Sequence, residues 1–166
     1  MKALVYHGAK DVRIDDKPKP EIKDKGDIIL RVTSTALCGS DLHLYHGTVQ
    51  GMAPGQTLGH EFMGIVEETG PSVQEIKKGD RVVIPFNISC GNCWFCRREL
   101  WSQCDRSNPN GEVGAAYGYT QLLGGYDGGQ AEFVRVPFAN TGALKVPDGF
   151  SSDEQVLFLS DILPTG

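Results

Sequence analysis

The sequence predicts an all-β barrel or sandwich with one closing helix. Three observations carry this. Short alternating or apolar runs recur along the 166 residues, each bounded by Gly, Pro, Asn or Asp. Glycine is abundant, with 21 residues, which favours many turns over long helices. The clearest helical apolar spacing comes late, behind a capping signature at 151–154.

Residues 2–6 and 11–15 read as two strands joined around Gly8. Residues 17–25, with Pro18 and Pro20, form a polar connector. From Asp27 to Ser34 the pattern alternates, Ile28, Leu30 and Val32 on one face and Ile29, Arg31 and Thr33 on the other, as in a half-buried strand. Asp41 to His46 reads as a short helical turn capped by Ser40 or Asp41. Further strands fall at 62–68, 81–86, 130–136 and 143–146. Between them, 108–129 is rich in glycine. No Walker lysine follows and no strand-to-helix context supports a dinucleotide fingerprint, so a flexible surface loop is the expectation. Ser151-Ser152-Asp153-Glu154 then opens a helix carrying Val156, Leu157, Leu159 and Ile162.

Composition narrows the function classes. A net charge of −5 is wrong for a phosphate-binding surface and excludes nucleic acid as the expected partner. No apolar run approaches a membrane span, and the first residues turn polar too soon for a secretory signal. The expectation is a cytoplasmic protein with reduced thiols, clustered around metals rather than each other.

Four of the five cysteines, Cys90, Cys93, Cys96 and Cys104, lie within fifteen residues. Two-residue gaps let the backbone fold around an ion, and structural zinc takes four soft donors in a closed tetrahedron. Gly91 and Asn92 suit the tight turn this needs. Two disulfides fit an odd cysteine count poorly. A bacterial ferredoxin run would place its fourth cysteine after three residues and follow it with proline, whereas seven residues and Asp105 stand here. Structural zinc is therefore the reading, in a lobe spanning 88–107.

Cys38 is the thiol left over, and His60 follows 22 positions later. Thiolate and imidazole both ligate zinc, and a catalytic site keeps one position open. By spacing alone the pair is weak. An isolated cysteine is ordinarily a small buried hydrophobe, and a lone histidine is ordinarily no ligand.

The exact strings add to this. Cys38-Gly39-Ser40-Asp41-Leu42-His43, then Gly59-His60-Glu61, then the four-cysteine lobe, resemble the zinc-dependent medium-chain alcohol dehydrogenases over essentially the whole chain. The resemblance implies a GroES-like, partly open β-barrel, mainly β, with a zinc-binding lobe and short helices. It implies two Zn2+ ions, one structural and one catalytic, the latter on Cys38 and His60. Ser40 is implied to accept the substrate proton and His43 to pass it on through the cofactor ribose. Asp41 is implied to orient His60, and Glu61 to be a structural or transient ligand. Gly39 stands where many members carry an arginine or histidine near the cofactor pyrophosphate. The run from Gly128 to Pro137 and Leu159-Ser160-Asp161-Ile162-Leu163-Pro164-Thr165-Gly166 resemble the glutathione-independent formaldehyde dehydrogenase branch, which implies Asp161 as third ligand.

No Gly-x-Gly-x-x-Gly fingerprint occurs. The expectation is thus a catalytic domain over 1–150, with 151–166 starting the helical connection to a Rossmann domain that would bind NAD(P). Alone, the chain is expected to be inactive, and Asp161, close to the last residue, to ligate in the full enzyme but only partly or not at all in this chain. The resemblance implies a small alcohol or aldehyde substrate and a homo-oligomeric full-length enzyme. The competing class is a non-enzymatic zinc-stabilised binding module in which Cys38 and His60 are incidental.

Overall fold

Alternating apolar residues build two antiparallel sheets in the computed structural model, which describes residues 1–166. Strands β1 (Lys2–Gly8) and β2 (Asp11–Asp16) form the expected hairpin, with Lys10 turning the chain at φ 61°. The second sheet contains β3 (Ile28–Thr35), β4 (Phe62–Thr69), β5 (Arg81–Ile84), β6 (Phe133–Val136) and β7 (Leu144–Lys145). Its order is β6-β3-β4-β5-β7. Helices α1 (Gly39–His46), α2 (Ala139–Gly142) and α3 (Ile162–Thr165) are short.

The sheets stay open rather than closing into a barrel. Isolated bridges tie the hairpin to the segments that lead into the second sheet, Ala3–Ala131 just before β6 and Val5–Thr57 ahead of β4. Leu4 N–H donates to the Gln130 carbonyl at 2.8 Å, and Glu132 N–H to that of Lys2 at 3.0 Å. Against the five-stranded sheet lies a core of Ile28, Leu30, Phe62, Val66, Val82, Ile84, Val134 and Val136, covered by Ile88, Ala115 and Tyr117 from outside the sheets, while Tyr6 of the hairpin packs in a separate cluster with Leu44, Met52 and Leu58. Burying each large aliphatic side chain contributes roughly 1.5–3 kcal/mol. At the entry to β3, buried Asp27 accepts from Arg135 at 2.6 Å, tying β3 to β6.

Several expectations need correction. The strand at β3 is not half-buried at its start. Ile28, Ile29 and Leu30 are all fully buried, because both faces are covered there. Helix α1 begins at Gly39, with Cys38 rather than Ser40 or Asp41 as N-cap. β5 stops before Pro85, which has no N–H for a ladder. The strands expected at 130–136 and 143–146 shrink to β6 and β7.

The glycine-rich stretch is a surface loop only in part: 109–113, 121–122 and Asp127 are exposed, but the rest is drawn into the domain. Gly114 to Gly118, Thr120 and Gly128 to Gln130 are buried, and Tyr117 enters the core edge-on to Phe62, with ring centroids 5.1 Å apart. Glycines are required because backbone meets backbone. A Cβ on Gly128 would lie 2.2 Å from the Gly59 carbonyl oxygen.

The closing helix is also broken. Ser152 does form a capping box, with Gln155, but the segment runs as 3-10 turns at Asp153–Gln155 and Leu157–Ser160 before α3. Tertiary contacts override helical spacing here. Val156 and Leu157 pack on Met63 and Val83, and Phe86 N–H donates to the Ser160 carbonyl at 2.9 Å. Asp153 accepts from Ser34 at 2.7 Å and from Arg81 Nε at 2.8 Å, and also from Thr33.

Candidate metal centres

The cysteine lobe hangs from the core by Ile88 N–H donating to the Ala115 carbonyl at 2.8 Å. Within it, 3-10 turns at Cys96–Arg98 and Trp101–Gln103 wind the chain so that four sulfurs lie within 4.8 Å of one another. Gly91 adopts φ +76°, and a Cβ there would meet Thr141 Oγ1 of α2 at 2.3 Å. Cys93, Cys96 and Cys104 are buried, and all five cysteines of the chain are free thiols. Backbone N–H groups point at sulfur: Cys90 N–H to Cys104 and Cys96 N–H to Cys93, each at 3.4 Å. Burial works against the Cys104 thiolate, but the Arg106 and Cys90 N–H groups outweigh it and lower that thiol to about 6. Burial pushes Cys96 up to about 12. Four convergent soft donors with thiolate-stabilising N–H groups fit structural zinc.

The second site is assembled by strand register. Thr35 at the end of β3 pairs with Phe62 at the start of β4, and Ala36 N–H donates to the Glu61 carbonyl at 3.0 Å. Cys38 and His60 are therefore neighbours despite the sequence between them. Phe62 in turn pairs with Ile84 of β5, and the chain beyond β5 holds Ser160 through Phe86. Asp161 arrives by that route. Its Oδ2 lies 3.2 Å from His60 Nε2, and the donors of Cys38, His60 and Asp161 lie within 4.8 Å of one another. Thiol, imidazole and carboxylate in this arrangement fit three protein ligands of a zinc ion with a further position open.

Surrounding residues fix the donors. Asp41 Oδ2 accepts from Cys38 N–H at 2.9 Å, closing the capping box of α1, and Gln130 Nε2 donates to the same oxygen at 3.3 Å. Asp41 Oδ1 is 3.8 Å from His60 Nδ1, longer than a hydrogen bond, and both atoms are buried without another partner. In this geometry the carboxylate holds Cys38 directly and His60 only at a distance. Burial raises the Asp41 carboxyl above its usual range, opposed by the Cys38 N–H. His60 follows Gly59, whose φ of +95° and contact with the Gln130 backbone leave no room for a side chain. The rings of Phe86 and Tyr119 stand edge-on to His60, each 6.4 Å away between centroids.

Not every expected residue joins the cluster. Glu61 is buried, but its side chain is not among the three convergent donors. Burial pushes its carboxyl up, and the charges of Asp161 and Asp41 add to this. Ser40 lines a cavity of about 150 Å3 beside His60 and Asp161, with its Oγ 3.6 Å from Cys38 Sγ. His43 lies one helical turn on and is exposed, away from that cavity.

Sequence reasoning missed the cavity's other walls, Phe86, Tyr119 and Leu123. The aromatic spacing Tyr117-Gly118-Tyr119 within the glycine-rich stretch is a sign that could have found Tyr119, whereas nothing local marks Phe86 or Leu123. A larger groove of about 940 Å3 lies elsewhere, with most of its cations paired, Lys17 with Asp127 at 3.0 Å, Lys19 with Glu68 at 3.3 Å and Arg135 with Asp27 at 2.6 Å, while Lys23 makes no ion pair.

The geometry defines a mainly β domain carrying two candidate metal centres. Residues 24–148 match the family model of the alcohol dehydrogenase GroES-like domain. The whole chain is 54% identical to an uncharacterized zinc-type alcohol dehydrogenase-like protein, AdhB, of Bacillus subtilis (strain 168), covering 44% of it. Over 99% of the chain it is 42% identical to the glutathione-independent formaldehyde dehydrogenase of the same organism, again covering 44% of that protein. Alcohol dehydrogenase TADH from Thermus sp. ATN1 superimposes with a TM-score of 0.91 at 41% identity, over 99% of this chain and 45% of that one. This chain belongs to the alcohol dehydrogenase GroES-like domain family, from zinc-type medium-chain alcohol dehydrogenases. It spans less than half the length of these relatives. No helix is long and apolar enough to cross a membrane.

Proposed function

We propose that this chain is the metal-bearing part of a zinc-dependent dehydrogenase that moves a hydride between a small alcohol or hydrated aldehyde and NAD(P). The observation that carries the reading is the convergence of Cys38, His60 and Asp161 beside a small cavity that also holds Ser40. When bound, zinc polarises the substrate oxygen and the nicotinamide takes the hydride.

The chain's own residues do the rest. Ser40 Oγ accepts the proton of the substrate hydroxyl and gives up its own toward His43, which releases it to water. Ser40 and His43 are three residues apart on α1, so they share a face. Phe86 and Tyr119 shield His60 from water. The Asp161 carboxylate is a harder donor than a thiolate, which favours polarising an aldehyde oxygen. Glu61, buried next to His60, is held in reserve as a transient donor. The reading includes NAD(P) bound by parts of a longer enzyme outside this chain. It also includes a cytoplasmic compartment, in keeping with five free thiols, and a homo-oligomer, for which exposed Trp94, Leu100 and Trp101 offer apolar surface.

In the full-length enzyme, Ser40→Ala should lower turnover about 100-fold or more while zinc content stays unchanged. Asp161→Ala should lose the site zinc and keep the lobe zinc. Unchanged turnover in the Ser40 variant would remove the proton-transfer role. A single zinc per chain in the wild-type enzyme would favour a zinc-stabilised binding module instead.

A further inference from the structure

Cys38 and His60 sit on different segments of the chain, and one buried residue, Gln130, is bonded to both segments. Its backbone is locked to the stretch that leads into His60. The N–H groups of Gly128, Gly129 and Gln130 donate to the carbonyls of Thr57, Gly59 and Leu58 at 3.0, 2.8 and 3.0 Å. Gly59 lies so close that a Cβ on it would meet Gln130 Cγ at 2.5 Å. The Gln130 carbonyl accepts from Leu4 N–H at 2.8 Å, so the hairpin braces it as well.

The side chain reaches the loop that carries Cys38. Gln130 Nε2 donates to the Ala36 carbonyl at 3.4 Å and to Asp41 Oδ2 at 3.3 Å. These acceptors bracket Cys38, and the same Asp41 oxygen takes the Cys38 N–H at 2.9 Å. Both groups facing Nε2 are acceptors, so a donor is required there and an oxygen would be repelled by each. Gln130 Oε1, in turn, is buried without a partner. An apolar side chain of similar length would fill the same space without that cost, so packing alone does not explain the amide.

We propose that Gln130 is a positioning residue that ties the Cys38 loop to the His60 segment and so sets how tightly the second centre holds its metal. This rests on the dehydrogenase reading above only in taking Cys38 and His60 as ligands of one ion. Asp41 stands 3.8 Å from His60 Nδ1 and does not itself join the two segments by a hydrogen bond. Ala36 N–H and Thr35 Oγ1 both donate to the Glu61 carbonyl, on the β4 side of His60. Gln130 makes the tie on the other side, through Leu58 and Gly59. The Cys38 loop is thus held from both sides of His60. Removing a group that orients ligands without touching the metal typically weakens metal binding about 10- to 100-fold.

The test uses the full-length enzyme, with the lobe zinc as an internal control. Gln130→Met keeps the length of the side chain and removes both donated bonds. Zinc affinity of the second centre, measured by competition with a chelator, should fall about tenfold or more while the lobe holds its ion unchanged. With cobalt in the second centre and zinc in the lobe, the visible d–d bands should shift, because the Cys38 sulfur is no longer held in place. Val134→Ala removes buried packing further along the same strand, where Val134 pairs with Leu30. It should lower the melting temperature and leave the affinity and the cobalt spectrum as in wild type. Gln130→Asn, whose amide is one carbon short of its acceptors, serves if methionine compromises folding, with a loss in the same direction. A Gln130→Met enzyme that melts earlier but keeps wild-type zinc affinity and cobalt spectrum would overturn the proposal. An equal loss of affinity in Val134→Ala would overturn it too. A wild type with zinc in the lobe alone would remove the second centre and the proposal with it. If wild type held both metals yet oxidised no alcohol and reduced no aldehyde, the dehydrogenase reading would fall, while the chelator competition would still decide the role of Gln130.

Discussion

The two candidate metal centres are built in opposite ways. The lobe takes its four donors from one run, Cys90 to Cys104, and its own tight turns bring them together. The other centre collects Cys38 from the β3–α1 junction, His60 from the entry to β4, and Asp161 from the 3-10 segment beyond β7. One needs local backbone geometry and an ion. The other needs three strands in register, a glycine contact behind His60, and a clamp on residues 151–161. The lobe should therefore fail alone, whereas the second centre should fail from a distance.

The largest effect should come from breaking the local centre. Cys93→Ser removes a buried donor and leaves three thiols that cannot complete the tetrahedron. Stability should fall by about 4 kcal/mol, with one zinc lost per chain and the Cys38–His60–Asp161 zinc retained. Metal analysis with a thermal melt checks this, and loss of both ions would show that the centres depend on each other.

The converse experiment reaches the second centre through a residue that touches no ligand side chain. In Gly128→Ala the new Cβ would sit 2.2 Å from the Gly59 carbonyl oxygen and 2.3 Å from that of Leu58, both backbone atoms. Something must shift, and Gly59 carries His60. A stability loss of about 3 kcal/mol is expected, with weakened zinc at the second centre and an intact lobe. Equilibrium dialysis against a zinc buffer separates the two sites.

A smaller effect should come from the clamp on the Asp161 segment. Burial alone would raise the Asp153 carboxyl, but hydroxyls of Thr33 and Ser34 and the Arg81 guanidinium hold it below the usual range. A depressed native carboxyl gives stability that is complete above the unfolded value of about 3.9 and is lost as pH falls through the folded one. Asp153→Asn should cost about 2 kcal/mol at neutral pH and flatten the acid limb of the stability profile. An unchanged acid limb in the variant would place the titrating group elsewhere.

Much of the chemistry is legible in the order of the residues. Cysteine spacing specifies the lobe, and the strings around Cys38, His60 and Asp161 point to the second donor set. Alternation places β1 to β4 within a residue or two, since side chains on a strand repeat every two residues wherever one face is buried. What stays illegible is where segments go once backbone meets backbone. The 108–129 stretch reads as a loop because glycine and polar residues leave no period. Yet those glycines let it lie against Gly59 and raise a wall over His60. The capping box at Ser152 is real, but packing on Met63 and Val83 and the hydrogen bond from Phe86 break the helix it announces.

The sequence by itself determined the mainly β class, the lobe, and which side chains could bind metal, because each depends on residue type and short-range spacing. Only the tertiary structure decided how the segments carrying Cys38, His60 and Asp161 are brought together, that the Glu61 side chain and His43 lie outside that donor set, and that Leu123 bounds the cavity. Those outcomes depend on register between strands and on contacts between segments tens of residues apart. No local period encodes such contacts.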